Sequence, residues 1–306
     1  MKHYYLFNNA SRATQYGIGT YLNQLSHGLK EEAKVSIISI NSDKEEVKST
    51  EDNGIRTIHI PKISYKNSSD NFQRYYRNLI YLLKTFISEE EAVFMLNYLY
   101  MTPLVKLLHE HFLNCKVVAV VHYLNWCLAL NGNVSKFHQL LESKHRDKKE
   151  EVLYEEYLND RKLLQGVDKV ICLSQATRSL LIADYQLKSE KTTVIYNGLK
   201  DEGRTIAEEE RKKMKQSLSF DAEDSIILFV GRLDSIKGVD FLIKAFRRVL
   251  DVYPHARLIL AGDDSYNICL KECSGIRSGI TFTGKVDKEK LYQYYRIADV
   301  EDSFRS

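Results

Sequence analysis

Proline is scarce, three in 306 residues, and each stands where an element would begin or end. Pro61 closes an apolar run, Pro103 opens a helical pattern and Pro254 stops one. Long apolar runs are missing too. None approaches the ~18 residues a membrane-spanning helix needs, and the opening MKHYYLFNNASR lacks the apolar stretch of a signal peptide. Charge of one sign is not in excess: 44 Lys and Arg against 41 Asp and Glu leave +3, too little to argue for a nucleic-acid partner. Cysteine is sparse and odd in number. Cys115, Cys127 and Cys172 are scattered, and Cys269 and Cys273 lie four apart without a second ligand pair, which argues against zinc and for reduced thiols. These absences predict a cytoplasmic chain, in which the sequons at Asn67 and Asn133 are chance matches.

What is present is an ordinary globular composition, 44% hydrophobic and 28% charged, in a chain long enough for two domains. The most informative stretch is 225–264, SIILFVGRLDSIKGVDFLIKAFRRVLDVYPHARLILAGDD. Its apolar run 226–230, bounded by Gly231, reads as a strand buried on both faces. Val239, Leu242, Ile243, Phe246, Val249 and Leu250 then form one helical stripe, and 258–261 a second buried strand. A strand-helix-strand unit with parallel strands follows. Its first loop carries Arg232 and Lys237 between Gly231 and Gly238, just before a helix N-terminus. An Arg fork, a Lys and free helix amides suit a diphosphate. Ordinary solvated loop cations are the alternative. The spacing is not that of a P-loop, since Lys237 precedes Gly238.

GRLDSIKGVDFLIKAF followed by LILAGDD resembles the donor-binding half of the retaining glycosyltransferases of family 4. The resemblance implies an α/β GT-B fold, two Rossmann-like doubly wound domains facing a cleft, and runs over nearly the whole chain. It implies domains at 1–197, on the acceptor side, and 198–306, for the nucleotide-sugar donor. Arg232 and Lys237 match the residues that grip the donor diphosphate, with Gly231 and Gly238 framing them. YGIGTYLNQL resembles the family's glycine-rich loop, so Gly17 and Gly19 are expected near the donor phosphates. His122, ending the strand 116–121, matches a histidine that faces the donor sugar. The element VIYNG, with Asn197, resembles the crossing between domains, and TGKV, with Gly284, Lys285 and Val286, the loop near the nucleobase. VICLSQATRSLL resembles the strand-Ser-helix element, where Ser174 is first of all an N-cap.

The residues alone give more modest readings of several positions. Gly17-Ile18-Gly19 is not a dinucleotide fingerprint, because the third position is Leu22; this and Asn41 after the second strand argue against a nicotinamide oxidoreductase. A simple turn before a helix starting near Ile18 fits as well. A lone histidine such as His122 is ordinarily structural. Trp126 either stacks on a sugar or anchors the core. Residues 43–53 read as a charged connection, 72–86 as a helix bearing Arg74, Arg77 and Lys84, and 134–164 as one long charged helical region with Leu153, Tyr157, Leu158 and Leu164 on its apolar face. The basic helix face is either solvated or a weak contact to a membrane surface or anionic acceptor.

After Val300 the pattern breaks. The family continues with a strand and a helix carrying two glutamates eight apart, and this sequence runs 301–306, EDSFRS. A truncated member is expected, with an incomplete second domain of three strands and an uncovered apolar face. The resemblance implies sugar transfer from a nucleotide-diphosphate sugar, with retention, to a sugar, glycan, lipid-linked or peptide acceptor, without cofactor or metal; Asp263-Asp264 has no identified partner ligands. The alternative is a remnant that binds nucleotide or acceptor without transfer.

Overall fold

The computed structural model describes residues 2–10, 17–62, 69–87, 91–198, 206–234, 237–263 and 270–302. The segment 11–16, the sequon residues Asn67 and Ser68, and Asp264, Cys269 and 303–306 lie outside them. The chain divides into two units, Met1–Lys200 and Asp201–Ser306.

The first unit is built on an eight-stranded sheet. In chain order its strands are β1 (His3–Asn9), β2 (Lys34–Ser42), β3 (Lys48–Asp52), β4 (Ile55–Pro61), β5 (Ala92–Leu96), β6 (Lys116–Val121), β7 (Lys169–Cys172) and β8 (Thr192–Val194). They lie in the order β3-β4-β2-β1-β5-β6-β7-β8, and every pairing is parallel except β3 with β4. The central strands are near-continuous apolar runs because both faces are covered: Leu6, Phe7, Phe94, Leu96, Val117 and Ala119 are fully buried. β1 is flanked by β2 on one side and β5 on the other, so the strand order reverses there. Ligands of open α/β sheets bind outside the carboxyl ends at such a point.

Two readings of this unit are corrected. Residues 43–53 hold an edge strand, β3, joined to β4 through Asn53 and Gly54, both at positive φ (50° and 76°), the backbone of a two-residue hairpin turn. Its five side chains are all exposed, the charged edge that discourages further pairing. The region 134–164 is two helices, α5 (Val134–Glu142) and α6 (Lys148–Gly166). Asp147 caps α6 by accepting from the amides of Lys149 (2.7 Å) and Glu150 (2.9 Å), while Glu150 accepts from the Asp147 amide. That capping box starts a new helix where a charge pattern alone suggested continuity. The other helices are α1 (Gly17–Leu29), α2 (Ser69–Phe86), α3 (Thr102–His111), α4 (Asn125–Ala129) and α7 (Gln175–Ala183). Ser174 does cap α7, accepting from the Thr177 amide at 3.1 Å. On α2, Tyr75, Tyr76, Leu79, Ile80 and Leu83 are buried, while Arg74, Arg77 and Lys84 are exposed.

The second unit has α8 (Glu208–Ser217), β9 (Ser225–Val230), α9 (Val239–Val252), β10 (Ala256–Ala261), β11 (Ile280–Gly284), α10 (Lys288–Ile297) and β12 (Val300–Asp302). Its all-parallel sheet runs β11-β10-β9-β12. β12 is a fourth strand, beyond the three the sequence suggested; three residues with two acids carry no strand signal. Alternation along β9 and β10 feeds two cores. Phe229, Leu258 and Leu260 join Val239, Ile243 and Phe246 of α9, and Ile226, Leu228 and Ile259 join Tyr294 and Ile297 of α10. Each fully buried side chain of this size stabilises by about 1.5–3 kcal/mol. At the two edges of this sheet, β11 leaves Ile280 and Phe282 only partly buried, and Val300 of β12 is exposed.

Asp299 ties this unit together. Its carboxylate accepts from Arg211 of α8 (2.6 Å) and from the Ile226 amide (2.8 Å), and it lies 3.5 Å from the Lys215 ammonium. Lys215, 5% exposed, also donates to the Asp224 carbonyl at 2.6 Å.

Candidate functional site

At the strand-order reversal of the first unit, short polar side chains replace the apolar ones as soon as the strands end. Asn97, following β5 and only 2% exposed, donates from Nδ2 to the Phe7 carbonyl at 3.0 Å. That leaves its Oδ1 to accept from His122 Nε2 at 3.0 Å, just past β6. The Nε2-protonated tautomer follows, with Nδ1 left as a lone-pair acceptor. Burial pushes the imidazole down to about 4 from 6.5, so it is neutral near pH 7. The Tyr21 ring meets it edge-on, centroids 4.7 Å apart. Asn9 continues the polar row, donating to Tyr100 Oη at 2.6 Å and accepting from Asn41 at 3.1 Å.

Asn97, Tyr100, His122, Tyr123, Asn125 and Asp160 line a hollow of about 30 Å³ at this end of the sheet. Asp160 comes from α6, is 6% exposed, and makes no hydrogen bond or ion pair with a described residue. Burial, with the neighbouring Glu156 charge, pushes its carboxyl up to about 7. Sequence reasoning missed both Asn97 and Asp160. For Asp160 a signal existed: it falls on the stripe Leu153, Tyr157, Leu164 that was read as the apolar face of its helix.

Four other residues named from the sequence lie away from this hollow. Trp126 is 2% exposed and stacks on Phe137, centroids 4.0 Å apart and planes within 7°, so it anchors the core and has no face for a sugar. Gly17 and Gly19 lie within α1, Gly17–Leu29, in keeping with a helix starting near Ile18. Gly19 borders a separate polar groove of about 320 Å³ with Asn8, Asn23, His27, Asp52 and Thr57. Asn197 is exposed in the segment beyond β8.

In the second unit the carboxyl ends of β9, β10 and β11 each carry a glycine, and they are stitched together. Gly231 donates to the Ala261 carbonyl (3.0 Å) and Gly262 to that of Gly284 (3.1 Å). A Cβ on Gly262 would sit 1.7 Å from the Gly231 oxygen, so only glycine fits. From this floor the loop after β9 rises into α9. Arg232, 43% exposed, pairs with Asp234 at 2.8 Å, and Asp234 also accepts from the Lys237 amide at 2.9 Å. The Lys237 ammonium has no ion pair with a described residue. Gly238 is the N-cap of α9 at φ 67°, with no side chain to cap it. The amides of the first turn are thus left for an external acceptor, with both cations on the approach. Lys285 is exposed beside Gly284, and Val286 packs against the α10 side of the core. Gly231, Arg232, Lys237, Gly238 and Gly284 therefore share one end of this sheet. Among the described residues no three His, Cys, Asp or Glu come together as a metal site, and no helix is long and apolar enough to cross a membrane.

The family model described as Glycosyltransferase Family 4 matches residues 16–202, and that described as Glycosyl transferases group 1 matches 210–301. The chain belongs to glycosyltransferase family 4. Its family relatives include an uncharacterized glycosyltransferase of Methanocaldococcus jannaschii, 28% identical over 157 residues, covering 47% of this chain and 40% of the relative. Another is the alpha-monoglucosyldiacylglycerol synthase of Streptococcus pneumoniae, 33% identical over 145 residues, covering 45% of this chain and 32% of the relative. These alignments thus take in less than half of either curated relative. Among solved structures, Anabaena HepE in complex with UDP and glucose superposes with a TM-score of 0.70 at 15% identity, over 98% of this chain and 73% of HepE. At that identity the likeness is one of fold, and it identifies the family member as GT-B.

Proposed function

We propose that this family 4 chain transfers a hexosyl group from a nucleotide-diphosphate sugar to a hydroxyl-bearing acceptor, with retention of anomeric configuration. The observation that carries the reading is the uncapped N-terminus of α9, approached by Arg232 and Lys237 over a floor of strand-end glycines. Negative charge builds on the diphosphate as the glycosidic bond breaks, and fixed amides and cations stabilise that charge more than they stabilise the ground state. In the free chain Asp234 holds Arg232; an entering diphosphate takes over the guanidinium and offers it a bidentate partner. Gly231, Gly238, Gly284, Lys285 and Val286 would line the donor's path, Lys285 and Val286 nearest the base, with Gly17, Gly19 and Asn197 as further donor contacts. His122, neutral and with Nδ1 open, would accept a hydrogen bond from a sugar hydroxyl. HepE's complex with UDP and glucose, and the glucosyl product in the name of the Streptococcus relative, support UDP-glucose as the first donor to try.

The test is calorimetric titration of the chain and its Arg232→Ala variant with UDP and with uridine. Removing one charge-assisted contact should weaken UDP by about tenfold, leaving uridine within a factor of about two. Equal loss for both ligands, or loss for neither, would remove Arg232 from the diphosphate site. Product analysis with UDP-glucose then decides transfer and its stereochemistry.

A further inference from the structure

A carboxyl group buried without a protein partner is costly, because no cation or hydrogen-bond donor of the fold compensates its charge. Asp160 makes no hydrogen bond or ion pair with a described residue, and its side chain lines a hollow with room for a single water. The charge that acts on it is that of Glu156, of the same sign and on the same helix. Tyr123 and Tyr185 feel its charge from the loop after β6 and from the segment after α7. An apolar residue or an asparagine would fill this position on α6 at less expense to folding. A chain that keeps a destabilising group at the mouth of a sheet is ordinarily keeping it for a ligand.

The surroundings say which ligand. The hollow of about 30 Å³ that Asp160 lines has room for one water or one hydroxyl group. Its rim is His122, Asn97, Asn125 and tyrosines, all neutral hydrogen-bonding groups, and it adjoins the strand-order reversal. The Asp160 carboxyl oxygen there accepts from a hydroxyl, and in its ionised form the group repels a phosphate or a second carboxylate. We propose that Asp160 is the hydrogen-bond acceptor of a subsite for one hydroxyl group of a neutral sugar or polyol. The assignment rests on the transferase reading. The hydroxyl belongs either to the sugar of the donor or to the acceptor.

Asp160→Asn in the full chain tests this, since it keeps the shape, removes the charge and relieves the folding penalty. UDP affinity should be the same in both chains. If the hydroxyl is the donor's, UDP-glucose binding falls about tenfold in the variant. If it is the acceptor's, UDP-glucose binding holds while KM for glucose or glycerol as acceptor rises by about as much. Unchanged binding and unchanged KM would overturn the proposal. Should neither chain bind UDP, the donor reading fails separately. Asp160 is then judged by its carboxyl ¹³C resonance, assigned by its loss in the variant: a shift on adding glucose or glycerol supports the subsite, and none overturns it.

Discussion

Asp160 and His122 face the same hollow, and burial moves both toward neutrality, so each leaves a mark on pH dependence. The Asp160 carboxyl, raised from 3.8 to about 7, stays protonated in the fold while the unfolded chain ionises. Its contribution to stability is complete below about pH 4 and is lost as pH rises to about 7. The loss is on the order of 4 kcal/mol. Asp160→Asn should therefore raise Tm by an amount that grows from pH 4 to 7 and then levels; a gain independent of pH would contradict the burial argument. His122 has the opposite sign: it should remain neutral, with the proton on Nε2, down to about pH 5. Two-bond ¹H–¹⁵N spectra of the imidazole check this, and an imidazolium pattern at pH 6 would break the assignment. The loop cations Arg232 and Lys237 were legible in the sequence because they sit in a recognisable string between two glycines. Asp160 was harder to see: its spacing from Leu153, Tyr157 and Leu164 puts it on the apolar face of its helix, but a carboxylate within a run of charges looks solvated.

Among the elements, the glycine floor and the Asp299 knot are the parts whose removal is easiest to measure. Gly262→Ala must push β9 and β10 apart at their ends and should cost about 2–3 kcal/mol. Urea denaturation reads this directly, and a loss under about 0.5 kcal/mol, the scale of an ordinary surface change, would mean the strand ends yield freely. Asp299→Ala leaves Lys215 buried with the Asp224 carbonyl alone and frees the Ile226 amide, and should cost about 2 kcal/mol. Asp299→Asn should recover part of it. The strand-helix-strand core of the second unit was readable because apolar runs and a helical stripe announce themselves. β3, the break between α5 and α6, and β12 were not read. β3 buries no side chain, α6 begins at a cap within continuous charge, and β12 is a strand only through its pairing with β9. Asn53-Gly54 was a usable hairpin signal for the first of these.

At the scale of the molecule, each unit holds its own hydrophobic clusters, with that of the first drawn wholly from residues 4–194. Residues 1–200 expressed alone should fold and melt cooperatively; a chain without a thermal transition would show that its core needs the rest. The sheet order of that unit also carries a consequence in time. β1 is made first, yet it ends in the middle of the sheet, and its pairing with β5 joins His3 to Ala92. A nascent chain can seat β1 against β2 once residue 42 is free of the ribosome. Its other edge then stays open while roughly fifty more residues are translated, several seconds at usual elongation rates. During that interval an apolar central strand is bare on one side, so a chaperone acting on this protein would meet it there, before the hollow at the strand ends exists.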